Sequence, residues 1–186
     1  MPIALQERFR LSPLIRWTLI SVYLALVLPL PLMAPPELKL VLWSATPIGL
    51  VLVLAMLSEQ VNVDEKGISV GHPLWCSWLI RRGWQLQWQE IKRLIPIGTS
   101  QGGRVYYLTT SNQGQRLLPQ RLEKFDRFLS IFEQRTGLKT STIQRLTPPW
   151  TYQLLCGLAV GMLTLELAVV VAVRWGVIVV PEGYPG

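Results

Sequence analysis

The residue types that carry most enzyme chemistry are scarce in this sequence and far apart. His72 is the only histidine, and it has no second partner for a catalytic triad or a histidine-based metal site. Cys76 and Cys156 lack metal-ligand spacing and are predicted to be packed thiols. Residues 98–103 (GTSQGG) lack the lysine and helix pattern of a phosphate loop and are predicted to be a strand-joining turn. The sequence therefore predicts no catalytic, metal-binding or cofactor-binding residue.

Glu166 is the chemically unusual residue, because it lies near the middle of an apolar block, residues 150–180, whose only other charge is Arg174. A carboxyl group in hydrocarbon costs a few kcal/mol unless it is neutral, paired or facing a polar cavity. Three interpretations stay open: a protonated Glu166 bonded to a neighbouring helix, a contact with a partner protein or pigment, and a proton or ion path. The first is favoured, since three helices are few for a transport pathway.

Gly157 and Gly161 precede this carboxyl group in the same block. Their four-residue spacing puts both on one face of a helix and lets another helix approach closely. The contact could be with this chain's own helices or with another protein, and self-association through the Gly157 face also stays open. We predict Gly157, Gly161 and Glu166 as helix-packing or partner-contact residues.

The composition indicates the elements that position these residues. Half of the residues are hydrophobic and 16% are charged, against about 25% charged in typical soluble domains. Residues 17–34 and 41–58 carry no charge and, with residues 150–180, are long enough to cross a bilayer. Residues 35–40 are predicted to be the turn of a helical hairpin. Three transmembrane helices are predicted, with a cleaved signal peptide as the weaker alternative for the first block.

The basic residues predict the orientation of the chain. Arg8, Arg10 and Arg16 precede the first block, and basic residues favour the cytoplasmic side. Two spans return the chain to that side, so residues 59–147, with 13 basic and 7 acidic residues, are also predicted to be cytoplasmic. The predicted localisation is integral to a plasma or thylakoid membrane, with the N-terminus inside and the C-terminus outside.

Residues 59–147 carry the pattern of an antiparallel sheet. A hairpin is predicted from two alternating runs around the turn at residues 64–67. Further strands follow in consecutive order, at residues 91–97, 105–110 and 115–118. The fold class predicted is thus a membrane α-helical protein with an inserted α+β domain. Its domains are residues 1–58 (N-terminal segment and hairpin), 59–147 (cytoplasmic domain) and 148–186 (third span and outside tail).

An amphipathic helix is predicted after these strands, and Gly137 is placed to end it. Glu123 and Arg127 are spaced to form a pair on its polar face. We favour a helix that closes the sheet over a partner-binding or lipid-lying helix, because its polar face mixes both charge signs. The predicted core-facing residues are Leu122, Phe125, Phe128, Leu129 and Phe132.

Three phrases carry a resemblance to a known family: "GWQLQWQEIKRL", "VYYLTTSNQGQRLLP" and "LEKFDRFLSIFEQRTG". In this order they resemble the bacterial pleckstrin-homology-like (PH-like) domains of small membrane proteins. The resemblance implies a seven-stranded, barrel-like sheet capped by one helix, used as a binding platform. Two spans before such a domain are also similar to the layout of the photosystem I assembly protein family of cyanobacteria and plastids, from which the third span departs.

The function expected from these patterns is non-enzymatic: the domain binds protein, and the chain assembles or stabilises an integral membrane protein complex, possibly a photosynthetic one. One alternative is a module that senses anionic lipid through the basic cytoplasmic surface of Arg81, Arg82, Lys92 and Arg93. Another is a subunit of a membrane enzyme or transporter. Nucleic acid is disfavoured as a partner, because the basic residues are scattered among acidic ones.

Overall fold

The computed structural model describes residues 6–80, 83–100, 103–111, 114–143 and 148–176. The chain divides into two compact units, each built from two segments. The sheet unit comprises Met1–Pro13 and Ala55–Pro148, and the helical unit comprises Leu14–Leu54 and Pro149–Gly186. Each unit is therefore interrupted in sequence by part of the other.

The helices of the helical unit are long and apolar. The described helices are α1 (Pro13–Val27), α2 (Pro29–Met33), α3 (Pro36–Met56), α4 (Phe125–Thr136) and α5 (Pro149–Arg174). The combined α1–α2 stretch, α3 and α5 are each long and apolar enough to cross a membrane. This outcome agrees with the three apolar helices that the sequence predicts, and only the amphipathic α4 belongs to the sheet unit.

Prolines set the ends of these helices. The chain breaks between α1 and α2 at Leu28, just before Pro29, because proline has no N–H to continue the helical ladder. Pro36 begins α3, where a missing N–H costs nothing. The connection before α3 is therefore shorter than the predicted turn of residues 35–40. Pro47 lies inside α3 without ending it.

Two side chains hold the helical unit together through backbone carbonyl groups. The hydroxyl of Tyr23 on α1 donates to the carbonyl of Thr46 on α3 at 2.6 Å. Gly49 makes this approach possible, because a Cβ atom there would collide with the Tyr23 hydroxyl. The hydroxyl of Thr18 donates to the carbonyl of Tyr152 on α5 at 3.1 Å. These bonds connect α1 to both of the other long helices.

The sheet unit contains two antiparallel sheets. Within the described ranges, the strands are β1 (Glu7–Arg10), β2 (Gln60–Val63), β3 (Gly67–Gly71), β4 (Trp84–Gln87), β5 (Ile91–Gly98), β6 (Arg104–Thr110) and β7 (Gln115–Leu117). One sheet has the order β1-β2-β3-β4 and the other β5-β6-β7. Every pairing is antiparallel, as the consecutive strand runs predict.

The segment before the first helix forms strand β1 of the four-stranded sheet. It pairs with β2 in a register that joins Arg10 to Gln60 and Phe9 to Val61. The sequence predicts a domain of residues 59–147 and a separate N-terminal part of residues 1–58, whereas the compact sheet unit includes Met1–Pro13. Helices α1, α2 and α3 are thus inserted between two neighbouring strands of one sheet.

Helix α4 packs its aromatic residues into the core of the sheet unit. Phe125, Phe128 and Phe132 are fully buried, and Leu129 is nearly so. Phe9 of β1 meets Phe128 edge to face, with ring centroids 5.6 Å apart. Since aromatic pairs in this geometry add to the stabilisation from burial, the first strand and α4 support each other.

The start of α4 differs from the predicted helix. Lys124 has a φ of 50°, a left-handed conformation that separates residues 122 and 123 from the helix. Leu122 is buried but lies in an extended segment, where it forms an isolated bridge with Leu11. At the other end Gly137, with a φ of 70°, donates its N–H to the carbonyl of Glu133 and ends the helix as expected.

Arg127 pairs with a residue other than the predicted Glu123. Its guanidinium donates from Nε to the carboxylate of Glu7 on β1 at 2.8 Å, and a second bond makes the pair bidentate. The sequence predicts that Glu123 pairs with Arg127 at i, i+4. This prediction is wrong, because Glu123 lies before the helix begins. The observed pair joins α4 to β1.

Candidate functional site

Helix α5 is the least covered of the long helices. Ala159 is its only buried residue among those described, and large side chains such as Leu158 and Leu165 are about two-thirds exposed. An added Cβ atom at Gly157 or Gly161 would meet open space. The predicted glycine face is therefore uncovered by the described residues of this chain, so it is free to receive a helix of another molecule.

Glu166 lies on a different face of α5 from the glycines. It is nine residues beyond Gly157, about two and a half turns, which puts the two roughly 180° apart around the axis. It is seven residues beyond the buried Ala159, about two turns, and so shares that residue's face. The predicted trio of Gly157, Gly161 and Glu166 therefore forms two separate surfaces.

The carboxylate of Glu166 has no partner in the described part of the chain. Its side chain is half-buried. Neither the hydrogen bonds nor the ion pair found among the described residues includes its oxygens. An apolar helix thus carries a carboxyl group, near its middle, whose hydrogen-bonding capacity this chain does not meet.

The sheet unit exposes a second apolar surface at residues 73–80, the connection from β3 to β4, which we call the aromatic loop. Leu74 is 92% exposed, Trp78 80% and Trp75 52%. Leu79 is exposed as well. A contiguous exposed surface of this kind is typical of an interaction site rather than of the free surface of a soluble domain.

The buried Cys76 anchors the aromatic loop. Its thiol lies 3.1 Å from the hydroxyl of Ser58. Ser58 also donates to the carbonyl of Ala55, and its backbone N–H contacts the same carbonyl, which closes the end of α3. Cys76 is thus held beside the residues that follow α3. Both cysteines are free thiols, as the sequence predicts.

The predicted basic surface is described only in part. Lys92 and Arg93 are exposed at the start of β5. Arg81 and Arg82 lie outside the described residues. Lys92 and Arg93 are therefore the members of the predicted surface that lie among the described residues.

An open cavity of about 220 Å³ lies in the sheet unit. Its lining is mostly apolar, and Glu59 and Arg121 contribute the charged groups. Leu11 at its wall follows β1, and Glu59 precedes β2. The cavity is thus bordered by the residues at which the chain leaves and re-enters the first sheet.

Two carboxylates of the sheet unit have pKa values lowered by structural contacts. The hydrogen bond from Arg127 lowers the pKa of Glu7 below its ordinary value of 4.5. Hydrogen bonds from the side chain and then the backbone of Thr140 lower the pKa of Glu133. Both contacts join separate segments of the unit, so these carboxylates act in holding the fold together.

The residue types that carry most enzyme chemistry form no metal-binding cluster among the described residues. His72 lies in the loop after β3, as expected, and its Nδ1 atom is buried without a partner among the described residues. Within the same ranges, no group of three or more histidine, cysteine or acidic side chains could hold a metal ion. Of the predicted turn at residues 98–103, Gly98 ends β5 and Arg104 follows the turn as the first residue of β6, while residues 101 and 102 lie outside the described residues.

Sequence reasoning missed the aromatic loop and the strand β1. The loop had a signal, since the run LWCSWLI concentrates apolar residues without the alternation of a half-buried strand. Strand β1 had almost none, because only Phe9 among its four residues is apolar. Its partner β2 is about fifty residues away, beyond the reach of a local pattern.

Comparisons with known proteins identify one relative. No family model matches the chain, and no solved structure matches it. The chain is 41% identical over 156 residues to "Uncharacterized protein slr0269" of Synechocystis sp. (strain ATCC 27184 / PCC 6803 / Kazusa). The match covers 81% of this chain and 78% of the Synechocystis protein.

Proposed function

The chain belongs to the family of this cyanobacterial protein, and from that premise we propose that it is an integral membrane protein that assembles or stabilises a membrane protein complex. It acts through binding and catalyses no reaction. Its membrane is the thylakoid or the plasma membrane, and a photosynthetic complex is the partner that the cyanobacterial relative favours.

Three observations support the membrane location. The combined α1–α2 stretch and α3 span 21 residues each, and α5 spans 26, against the roughly 20 needed to cross hydrocarbon. Their surfaces are apolar and largely exposed, as lipid contact requires. Trp17, Trp150 and Trp175 lie near helix ends, where tryptophan is enriched at the membrane interface.

The strand β1 supports a cytoplasmic sheet unit. It precedes the first apolar stretch and pairs with β2, which follows the second. Paired strands lie on one side of a membrane, so both ends of the hairpin are on that side. Arg8, Arg10 and Arg16 favour the cytoplasm for it. The third helix then carries the C-terminus to the outside.

The order of elements in the sheet unit supports a PH-like domain. Four strands form one antiparallel sheet, three form another, and one amphipathic helix follows. The seven strands and the following helix agree in number and order with what the resemblance implies, whereas the strands form two sheets and the resemblance implies one. In the eukaryotic pleckstrin-homology domains that such domains resemble, basic residues in the loop between the first strands bind phosphoinositides. In this chain the helical hairpin occupies the connection between β1 and β2. A protein-binding role is therefore preferred for this domain.

The partnerless carboxyl group of Glu166 on the uncovered helix α5 is the observation that carries the proposal. In hydrocarbon such a group costs a few kcal/mol unless another group bonds it. Because the described residues of this chain supply no such group, a helix of another protein is the natural source. The open face at Gly157 and Gly161 offers that protein a second contact.

Affinity capture of the full chain from its native membrane tests this function. The tagged protein is cross-linked, solubilised in mild detergent and analysed by quantitative mass spectrometry. We expect stoichiometric recovery of one membrane complex. Glu166→Leu should lower the recovery about threefold to tenfold, the value of one hydrogen bond between membrane helices.

Two further variants make this comparison specific. Glu166→Gln replaces the carboxyl group with a neutral amide that can still make hydrogen bonds, so it should retain more of the complex than Glu166→Leu if a neutral carboxyl group makes the contact. Leu167→Ala changes an exposed side chain about 100° around the helix from Glu166 and about 120° from Gly161, so it should leave the recovery unchanged. Recovery of the chain alone, or only with its own copies, would contradict the assembly function.

A further inference from the structure

The aromatic loop presents large apolar side chains on a segment that bonds several of its own polar groups internally. The backbone N–H groups of Cys76 and Ser77 both donate to the carbonyl of Pro73, at 3.1 and 3.0 Å. The indole N–H of Trp78 donates to the carbonyl of Trp75 at 3.0 Å. Each donor bonded internally lowers the cost of moving the segment from water into the membrane interface.

Chain connectivity fixes the distance of this loop from the end of α3. Cys76 in the loop contacts Ser58, and Ser58 is only two residues beyond Met56, the last residue of α3. The loop is therefore within about 10 Å of that helix end, since two residues span roughly 7 Å. This distance does not depend on how the sheet unit is oriented.

The end of α3 lies at the level of the lipid headgroups if α3 crosses the membrane. Its 21 residues give a length of about 30 Å, the thickness of the hydrocarbon core. Met56 is then at the hydrocarbon boundary and Ser58 in the interface. The aromatic loop lies beside Ser58, at the depth where tryptophan side chains are most stable.

We infer that the aromatic loop inserts into the interface of the same leaflet that α3 enters, and that its partner is the lipid surface. Leu74 and Trp78, the two most exposed residues of the loop, supply the apolar contact. The loop is a second anchor, which ties the sheet unit to the bilayer.

This inference rests on the membrane location proposed above, and quenching of a fluorescent label tests both. In a Cys156→Ser background, an environment-sensitive dye is attached to Leu74→Cys in the full chain, reconstituted in vesicles containing anionic lipid. Glu65→Cys is the matched control, exposed in the turn at the other end of β2. In a separate preparation that retains the native Cys156, a label on this thiol reports the insertion of α5.

We expect lipid-attached nitroxide to quench the label at residue 74 at least about twofold more than the label at residue 65, and aqueous iodide to do the reverse. Equal access of iodide to both labels would overturn the inference. A label at residue 74 shielded from both quenchers would also overturn it, because a second protein copy would then cover the loop. If nitroxide also fails to quench the label at Cys156, the membrane location itself is wrong.

Discussion

At the scale of single residues, the ion pair between Glu7 and Arg127 makes the stability of the sheet unit depend on pH. Arg127 lowers the pKa of Glu7 in the folded protein below its ordinary value of 4.5. The charged carboxylate therefore stabilises the fold fully above pH 4.5, and this contribution is lost as the pH falls through the lowered value. We expect Glu7→Gln to destabilise the sheet unit at pH 7 and to matter little at strongly acidic pH.

The control for this prediction is Glu123→Gln, which removes the partner that helical spacing predicts for Arg127. Unfolding of the detergent-solubilised chain in urea, at neutral and acidic pH, measures both variants. A loss at pH 7 that is equal in the two variants would contradict the observed pairing. Helical spacing predicts which face of the helix Glu123 and Arg127 would share. It does not predict where the helix begins, which the left-handed conformation of Lys124 determines.

At the scale of elements, β1 and α4 are expected to stabilise the sheet unit together. Phe9 is 2% exposed and packs on the fully buried Phe128. Because each leaves a large cavity when truncated, Phe9→Ala and Phe128→Ala should each cost about 3–5 kcal/mol in the free energy of unfolding. The reactivity of the buried Cys76 thiol in increasing denaturant, in a Cys156→Ser background, reports this unfolding.

Arg10→Gln is the matched control in β1, since the side chain of Arg10 is exposed. It should change the free energy of unfolding by less than about 0.5 kcal/mol. A Phe9→Ala variant as stable as this control would show that the domain folds without the segment before α1, as the sequence analysis assumed. The predicted strands at residues 61–63 and 105–110 needed only local alternation, whereas β1 depends on a partner across the whole hairpin.

At the scale of the whole molecule, the chain leaves and re-enters one sheet at paired residues. Arg10 and Gln60 are direct partners in the register of β1 and β2. An insertion between adjacent strand ends adds little closure entropy, so a sheet can accept a long helical hairpin there. The sequence predicted the apolar helices well because their signal is composition. It located no partner for Glu166, because a local pattern gives the face of a helix and not the group that packs against it.

This connectivity predicts the sidedness of three positions. With single cysteines in a Cys156→Ser background, a membrane-impermeant maleimide should label Gln6→Cys and Glu65→Cys only from the cytoplasmic side. It should label Glu37→Cys only from the opposite side, because Glu37 is exposed at the start of α3. Cys76 is buried and adds little background. Labelling of residues 6 and 65 from opposite sides would exclude the pairing of β1 with β2. Labelling of all three positions from one side would show that the α1–α3 hairpin does not cross the membrane.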